Sequence, residues 1–321
     1  MKRIISAVLS CVILAGALVG CGYNSTAEER EPVFSVLGYD VPYELYRFYA
    51  MTEKESRGLI DENGNTRTDD PELLAKAEEA AMGAIYNLYA ALVIGERMGI
   101  FLTDQVVSRA AEEYFEQIKN SYESESDFRA DMKSVYMNRS VVELIYAAQY
   151  IQAEAYERAE ENGTLDDSEE GLNAFYASDN LIRVKHILIQ PSLFTNAEEV
   201  AEIAYQKAKD AANFDTVFNL YASSGVYAED RYMAKGETLE AFEEAAFALS
   251  VGELGPIVKT SVGYSIFMRY EKEADLVAKD DGEFMEKYLI WQFNLLLEEI
   301  KSEAEIEYYD AYDEHPFADI K

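Results

Sequence analysis

LIRVKHILIQ (181–190) is a run rich in β-branched residues, closed by Pro191 and Ser192, and it predicts a strand. Alternation sets Val184, His186 and Leu188 on one face and Lys185, Ile187 and Ile189 on the other. Downstream, helical patterns run from Ala197 to Ala212 and from Phe214 to Tyr221. In FEEAAFAL (242–249), Phe242, Ala245, Ala246 and Leu249 recur at i, i+3, i+4 and i+7, one stripe of a short helix. Gly252, Gly255 and Pro256 mark a turn, and IVKT (257–260) and YSIFMRY (264–270) predict two strands joined through Ser261–Gly263. Strand, two helices, short helix, strand, strand is a compact α+β unit of about ninety residues.

The flanks are helical. VFSVLGYDV (33–41) predicts a strand, a turn at Gly38 and a return, and Pro42–Ser56 a helix. Asp70-Pro71-Glu72 starts the next, with an N-cap acid, proline at the first helical position and an acid in the first turn. Leu74, Ala77, Ala81, Ile85, Leu88 and Leu92 line one side of it, and it ends near Met98-Gly99. Thr103 is the expected cap of a helix to about Tyr122, and Ser126 of a single helix running to Glu161, with Arg139 interrupting its apolar side. Asn162-Gly163 stops it, and Ser168–Ala177 leads into the α+β unit. After a charged break, Glu283 to about Glu305 predicts a long helix apolar on more than one face, and the acidic tail YYDAYDEHPFADIK is expected to be loose.

Composition narrows the function. Lys and Arg number 28 against 61 Asp and Glu, a net charge of −33, which repels nucleic acid and anionic headgroups and favours cationic or neutral partners. Residues 1–20 form a secretory signal, with Lys2 and Arg3 ahead of the mostly apolar Ile4–Leu18. Leu18-Val19-Gly20-Cys21 resembles a bacterial lipobox, in which Cys21 is acylated and becomes the mature N-terminus. Two acyl chains on a thioether-linked glycerol suffice for stable anchoring. Cys11 leaves with the signal and Cys21 carries lipid, so neither a disulfide nor a thiol catalyst is expected. His315 lies far from any cysteine, so no zinc site is expected, and neither a Walker loop nor GxSxG is present. The 24 tyrosines offer broad apolar contact with a polar tip; most are read as rimming the helical core, and a client groove is the lesser reading.

VKHILI (184–189), FDTVFNLYASS (214–224), KGE (235–237), FEEAAFALSVGELGPIVKT (242–260) and GYSIF (263–267) together resemble the parvulin family of peptidyl-prolyl isomerases. The flanking helices and leader are similar to those of lipoprotein foldases of the PrsA/SurA type. The resemblance implies a layout with a signal at 1–20, a lipid-anchored linker at 21–32 and a helical chaperone-like domain at 33–178. The parvulin-like unit, at 179–274, is inserted before a C-terminal helix and tail at 275–321, the helix packing back on the N-terminal domain. It also implies a site. The first histidine of the family pattern is His186, the acid or thiol position falls at Ser224 (Ser223 stays open), and the second histidine position is Ser265. Substrate-binding positions are Phe242, Met233, aromatic in many relatives, and Thr238, where the family carries methionine. Glu229 or Asp230, just downstream, is a candidate replacement for the missing acid, and His186 has a second reading as a satisfied core histidine.

Isomerisation of an X-Pro bond needs neither nucleophile nor cofactor; the barrier of about 18–20 kcal/mol is amide resonance, lowered by gripping the proline ring and favouring the twisted imide. The expectation is therefore an extracytoplasmic, membrane-anchored foldase or chaperone for unfolded exported polypeptides and their X-Pro segments, with isomerase activity weak or lost. A fully active isomerase and a non-enzymatic surface scaffold are the alternatives. No metal or cofactor is expected, and a homodimer is left open.

Overall fold

The structure, a computed structural model, describes residues 26–210, 214–260, 262–274 and 282–321. The expected signal, the lipobox-like stretch and Cys21 lie outside the described residues. The chain divides into two units: Met1–Asn162 with Leu295–Lys321, and Gly163–Asn294.

The first unit opens on a hairpin, β1 (Pro32–Val36) and β2 (Tyr39–Pro42), pairing Val36 with Tyr39 and Phe34 with Val41. Leu37 and Gly38 both take positive φ, as a two-residue hairpin turn of this twist requires. Five helices follow: α1 (Tyr43–Ser56), α2 (Pro71–Arg97), α3 (Gln105–Asn120), α4 (Glu125–Ser134) and α5 (Arg139–Glu161). Asp70 caps α2 as expected, accepting from the Glu72 amide.

Two expectations fail here. The residue capping α3 is Asp104, whose carboxylate turns back to the Phe101 amide, and not Thr103. The single helix from Ser126 to Glu161 is two helices: Ser124 caps α4, Tyr136 turns left-handed at φ +56°, and Asn138 caps α5 through the Val141 amide. Apolar periodicity carries across the break because both helices face one core; the cap chemistry of Asn138 marks it. Arg139 is therefore the first residue of α5 and pairs with Glu112, Glu116 and Glu143.

The tail is not loose. After a long helix, α10 (Glu283–Ser302), β7 (Ile306–Tyr308) pairs antiparallel with β1, giving the sheet order β2-β1-β7. A short helix, α11 (Asp310–Glu314), and a 3₁₀ turn (Phe317–Asp319) then bury Ala311, Phe317 and Ile320. The acidic composition hides these three contacts, each of which needs a partner more than 200 residues away in sequence. Lys54, fully buried, donates to the Ala318 and Ile320 carbonyls and to Thr66, with its ammonium 4.9 Å from the centre of the Phe317 ring. Arg47 donates to the Lys321 carbonyl at 2.7 Å.

The second unit carries α6 (Glu169–Ala177), β3 (Leu181–Ile189), α7 (Ala197–Asp210), α8 (Phe214–Ser223), β4 (Tyr227–Ala234), α9 (Glu240–Phe247), β5 (Val258–Thr260) and β6 (Gly263–Tyr270). It also takes α10 as far as Asn294. The sheet is antiparallel throughout, in the order β4-β3-β6-β5. Its faces are those that the alternation predicts. Ile187, Ile189 and Ile266 bury against alanines of α7 and against Phe214 and Val217 of α8. Ile182, Val184, Met233 and Phe267 bury against Phe242, Ala246 and Leu249. Strand β4 has no counterpart in the sequence reading, because Glu229-Asp230-Arg231 interrupts any alternation; it is an edge strand, where charge is tolerated and discourages further pairing.

Gly255 shows why the turn after α9 carries glycine. Its amide donates to the Phe267 carbonyl, and a Cβ there would enter the Phe267 ring. Gly255→Ala is expected to destabilise this unit by about 1–3 kcal/mol, the usual cost of overpacking, read by urea unfolding; an unchanged midpoint would show that the Phe267 ring yields freely.

Candidate functional site

The site lies on the β3 face that packs against α9. His186 sits mid-strand, flanked by Val184 and Leu188, and is 8% exposed. Ser265, on the neighbouring β6, is 3% exposed, and its Oγ lies 2.9 Å from His186 Nε2. The two positions named from the sequence as the first and second histidines of the pattern are thus hydrogen-bonded partners. A serine hydroxyl can donate or accept, so it satisfies either tautomer of the ring at that nitrogen.

Phe242 lies over the imidazole, ring centres 4.7 Å apart, and meets Phe267 edge-on at 4.8 Å. Met233 is fully buried beneath, and Thr238 donates its hydroxyl to the Met233 sulfur at 3.5 Å. Phe242, Met233, His186 and Ser265 are therefore brought to one buried, mostly apolar cluster, with Thr238 at its margin.

Ser224 is not brought there. It is exposed past the end of α8, and its hydroxyl donates to the Tyr221 carbonyl at 2.7 Å; Ser223 makes the same bond to the Leu220 carbonyl. Backbone carbonyls at a helix end are the nearest acceptors for a short hydroxyl, so these serines finish α8 instead of facing His186.

The acid near the histidine comes from β4. Glu229 stands directly opposite His186 in the β3–β4 register, hence on the same face of the sheet. Asp230 is opposite Lys185 and faces the other way, pairing with Arg183 and Lys185. Tyr227, missed by sequence reasoning, closes the same edge: its ring meets His186 edge-on at 5.9 Å and its hydroxyl donates to Glu229. Reading 227–234 as a strand would have separated Glu229 from Asp230 by parity alone.

Burial holds the imidazole far below its ordinary range, at about 4, and the Arg231 guanidinium on β4 adds to the effect. The ring is therefore neutral at physiological pH and serves as a hydrogen-bonding partner, not as a cation. Arg231 is itself engaged by Glu237, which also takes Lys287 at 2.9 Å.

The candidate site is thus an antiparallel sheet face carrying a neutral, serine-paired histidine under an aromatic ring. Residues 186–271 match the family model of the PPIC-type peptidyl-prolyl isomerase (rotamase) domain, so the chain carries a parvulin domain between helical regions. The chain is similar to foldase protein PrsA of Oceanobacillus iheyensis, 29% identical over 187 residues, 56% of this chain and 58% of that protein. It is also similar to foldase protein PrsA of Geobacillus kaustophilus, 25% identical over 71% of this chain and 76% of that protein. Among solved structures, foldase protein PrsA of Streptococcus pneumoniae aligns with 76% of this chain and 90% of its own, at 16% identity and a TM-score of 0.33. No helix among the described residues is long and apolar enough to cross a membrane.

Proposed function

We propose that this protein is an extracytoplasmic foldase or chaperone, lipid-anchored at Cys21, whose parvulin domain grips X-Pro segments of unfolded exported polypeptides with little isomerase turnover. The observation that carries the reading is the His186–Ser265 hydrogen bond under Phe242, within the residues that match the rotamase family. A mostly apolar cluster with one neutral polar pair suits a proline ring and its imide. Low turnover follows from what surrounds that pair. Ser265 is shorter than the imidazole expected there, and Ser224 brings no charge towards the substrate carbonyl. Met233, Thr238 and Phe242 are the ring-binding positions in this reading, with His186 and Ser265 orienting the imide.

A proline-tetrapeptide isomerisation assay on the chain lacking residues 1–20, with His186→Ala as control, is expected to give rates near the uncatalysed exchange for both. Robust wild-type turnover that His186→Ala abolishes would establish a fully active isomerase instead. The same preparation is expected to suppress aggregation of an unfolded client at stoichiometric ratio; no suppression at excess would favour a scaffold role. Labelled palmitate should enter the wild-type chain in a bacterial host and not a Cys21→Ser variant, and label in both would remove the anchor from the reading.

A further inference from the structure

We propose, on the chaperone reading and independently of the proline site, that a cavity in the first unit takes a lysine or arginine side chain of an unfolded polypeptide. The cavity holds about 440 Å³ where the starts of α1 and α5 meet. Pro42 and Leu45 wall it from the α1 end, and Val141 and Leu144 from α5. Glu44 also lines it and is only 6% exposed, whereas Arg30 and Asp40 are exposed. Glu44 therefore marks the inner end and the other two the mouth.

Glu44 lacks a counter-charge. Its Oε2 accepts from the Asn138 side-chain amide at 2.5 Å, a neutral donor. Its Oε1 takes no hydrogen bond from a described residue, and the carboxylate joins no ion pair among them. Every enclosed side-chain nitrogen or oxygen among the described residues has a partner, so the unpartnered Oε1 opens onto the cavity. The Tyr43 and Glu44 amides that begin α1 do not serve it, since they donate to the Glu31 and Glu29 carbonyls. The helix end itself offers about half an elementary charge. A buried carboxylate without a cation keeps its desolvation cost, which folding has already imposed, and an incoming cation relieves it. No group of three potential metal ligands forms among the described residues, so the fitting cation is organic. An aliphatic stem along Leu45, Val141 and Leu144, with a charged head on Oε1, is what lysine or arginine supplies.

The test is calorimetric titration of the chain lacking residues 1–20 with two proline-free peptides. One is acetyl-Gly-Leu-Lys-Leu-Gly-amide; the other carries norleucine for lysine, which keeps the stem and drops the charge. The lysine peptide is expected to bind about tenfold tighter, as one charge-assisted hydrogen bond supplies. In Glu44→Gln, which keeps an acceptor for Asn138, the ratio is expected to fall to about one. In the wild type it should hold within about twofold at about 0.5 M NaCl, because an enclosed pair is screened little. Leu144→Trp fills the cavity with Glu44 intact and is expected to abolish binding of both peptides; unchanged affinity there overturns the inference whatever becomes of Glu44→Gln. Equal binding of the two peptides to the wild type also overturns it. A preference that survives in Glu44→Gln, or that salt removes, overturns it and assigns the effect to the net charge of −33. Binding of neither peptide overturns it while leaving the chaperone reading intact, provided the same preparation still suppresses client aggregation; loss of both removes that reading too.

Discussion

Lys54→Ala is expected to destabilise the first unit by about 4 kcal/mol. The buried stem accounts for most of this, at about 0.8 kcal/mol for each methylene lost from a packed site. The Ile320 carbonyl, 2.8 Å from the ammonium, adds about 1–3 kcal/mol when its donor is removed. The Ala318 carbonyl keeps the Thr66 hydroxyl at 2.5 Å and contributes little. Part of the loss is offset, because burial disfavours the charged amine and brings its pKa down to about 8. Lys54→Met keeps the stem and removes the donor, so it should cost about 1–3 kcal/mol; wild-type stability in that variant would show that the tail clamp contributes nothing. Far-UV circular dichroism is the probe. The single tryptophan, Trp291, belongs to the other unit and should report no change.

Trp291 is the right probe for the second result. The stability of the parvulin unit is expected to fall between pH 7 and pH 4 by up to about 3 kcal/mol through His186 alone. The folded ring titrates near 4 and an unfolded histidine near 6.5. The unfolded state therefore binds more protons between those values. The contribution is fully present above pH 6.5 and is lost as pH falls through 4. The 61 acidic residues also titrate over this window, so the quantity to read is the wild-type minus His186→Gln difference in urea unfolding free energy. A difference flat from pH 7 to 4 would mean that the ring is charged or exposed in the folded state.

The fold of the parvulin unit was largely legible in the chain. The parity of β3 separated Val184 and His186 from Ile187 and Ile189, and the Phe242, Ala246, Leu249 stripe marked α9 and the face it covers. The pairing of His186 with Ser265 was legible only through the family pattern, since 79 residues separate them and neither has a local signal. What escaped notice depended on cross-chain neighbours. Strand β4 is charged at its centre, Glu229-Asp230-Arg231, and exists because β3 lends it hydrogen bonds. The tail folds because Lys54, Arg47 and β1 await it, and its own acidic composition argues for solvent. Ser224 was assigned towards the site by matching, but the shortened stretch after α8 leaves it answering the helix's own carbonyls.

The last sixteen residues set a timetable. The first unit closes between Arg47 and Lys321, 274 positions apart, and between Lys54 and Ile320, 266 apart, whereas the second unit is one uninterrupted stretch. A chain made from its N-terminus can complete the parvulin unit while the opening hairpin still lacks its third strand. Long-separation contacts also form slowly, since the intervening loop must be closed first. The helical unit is thus the last to mature, and β1 stays an open edge until synthesis is finished.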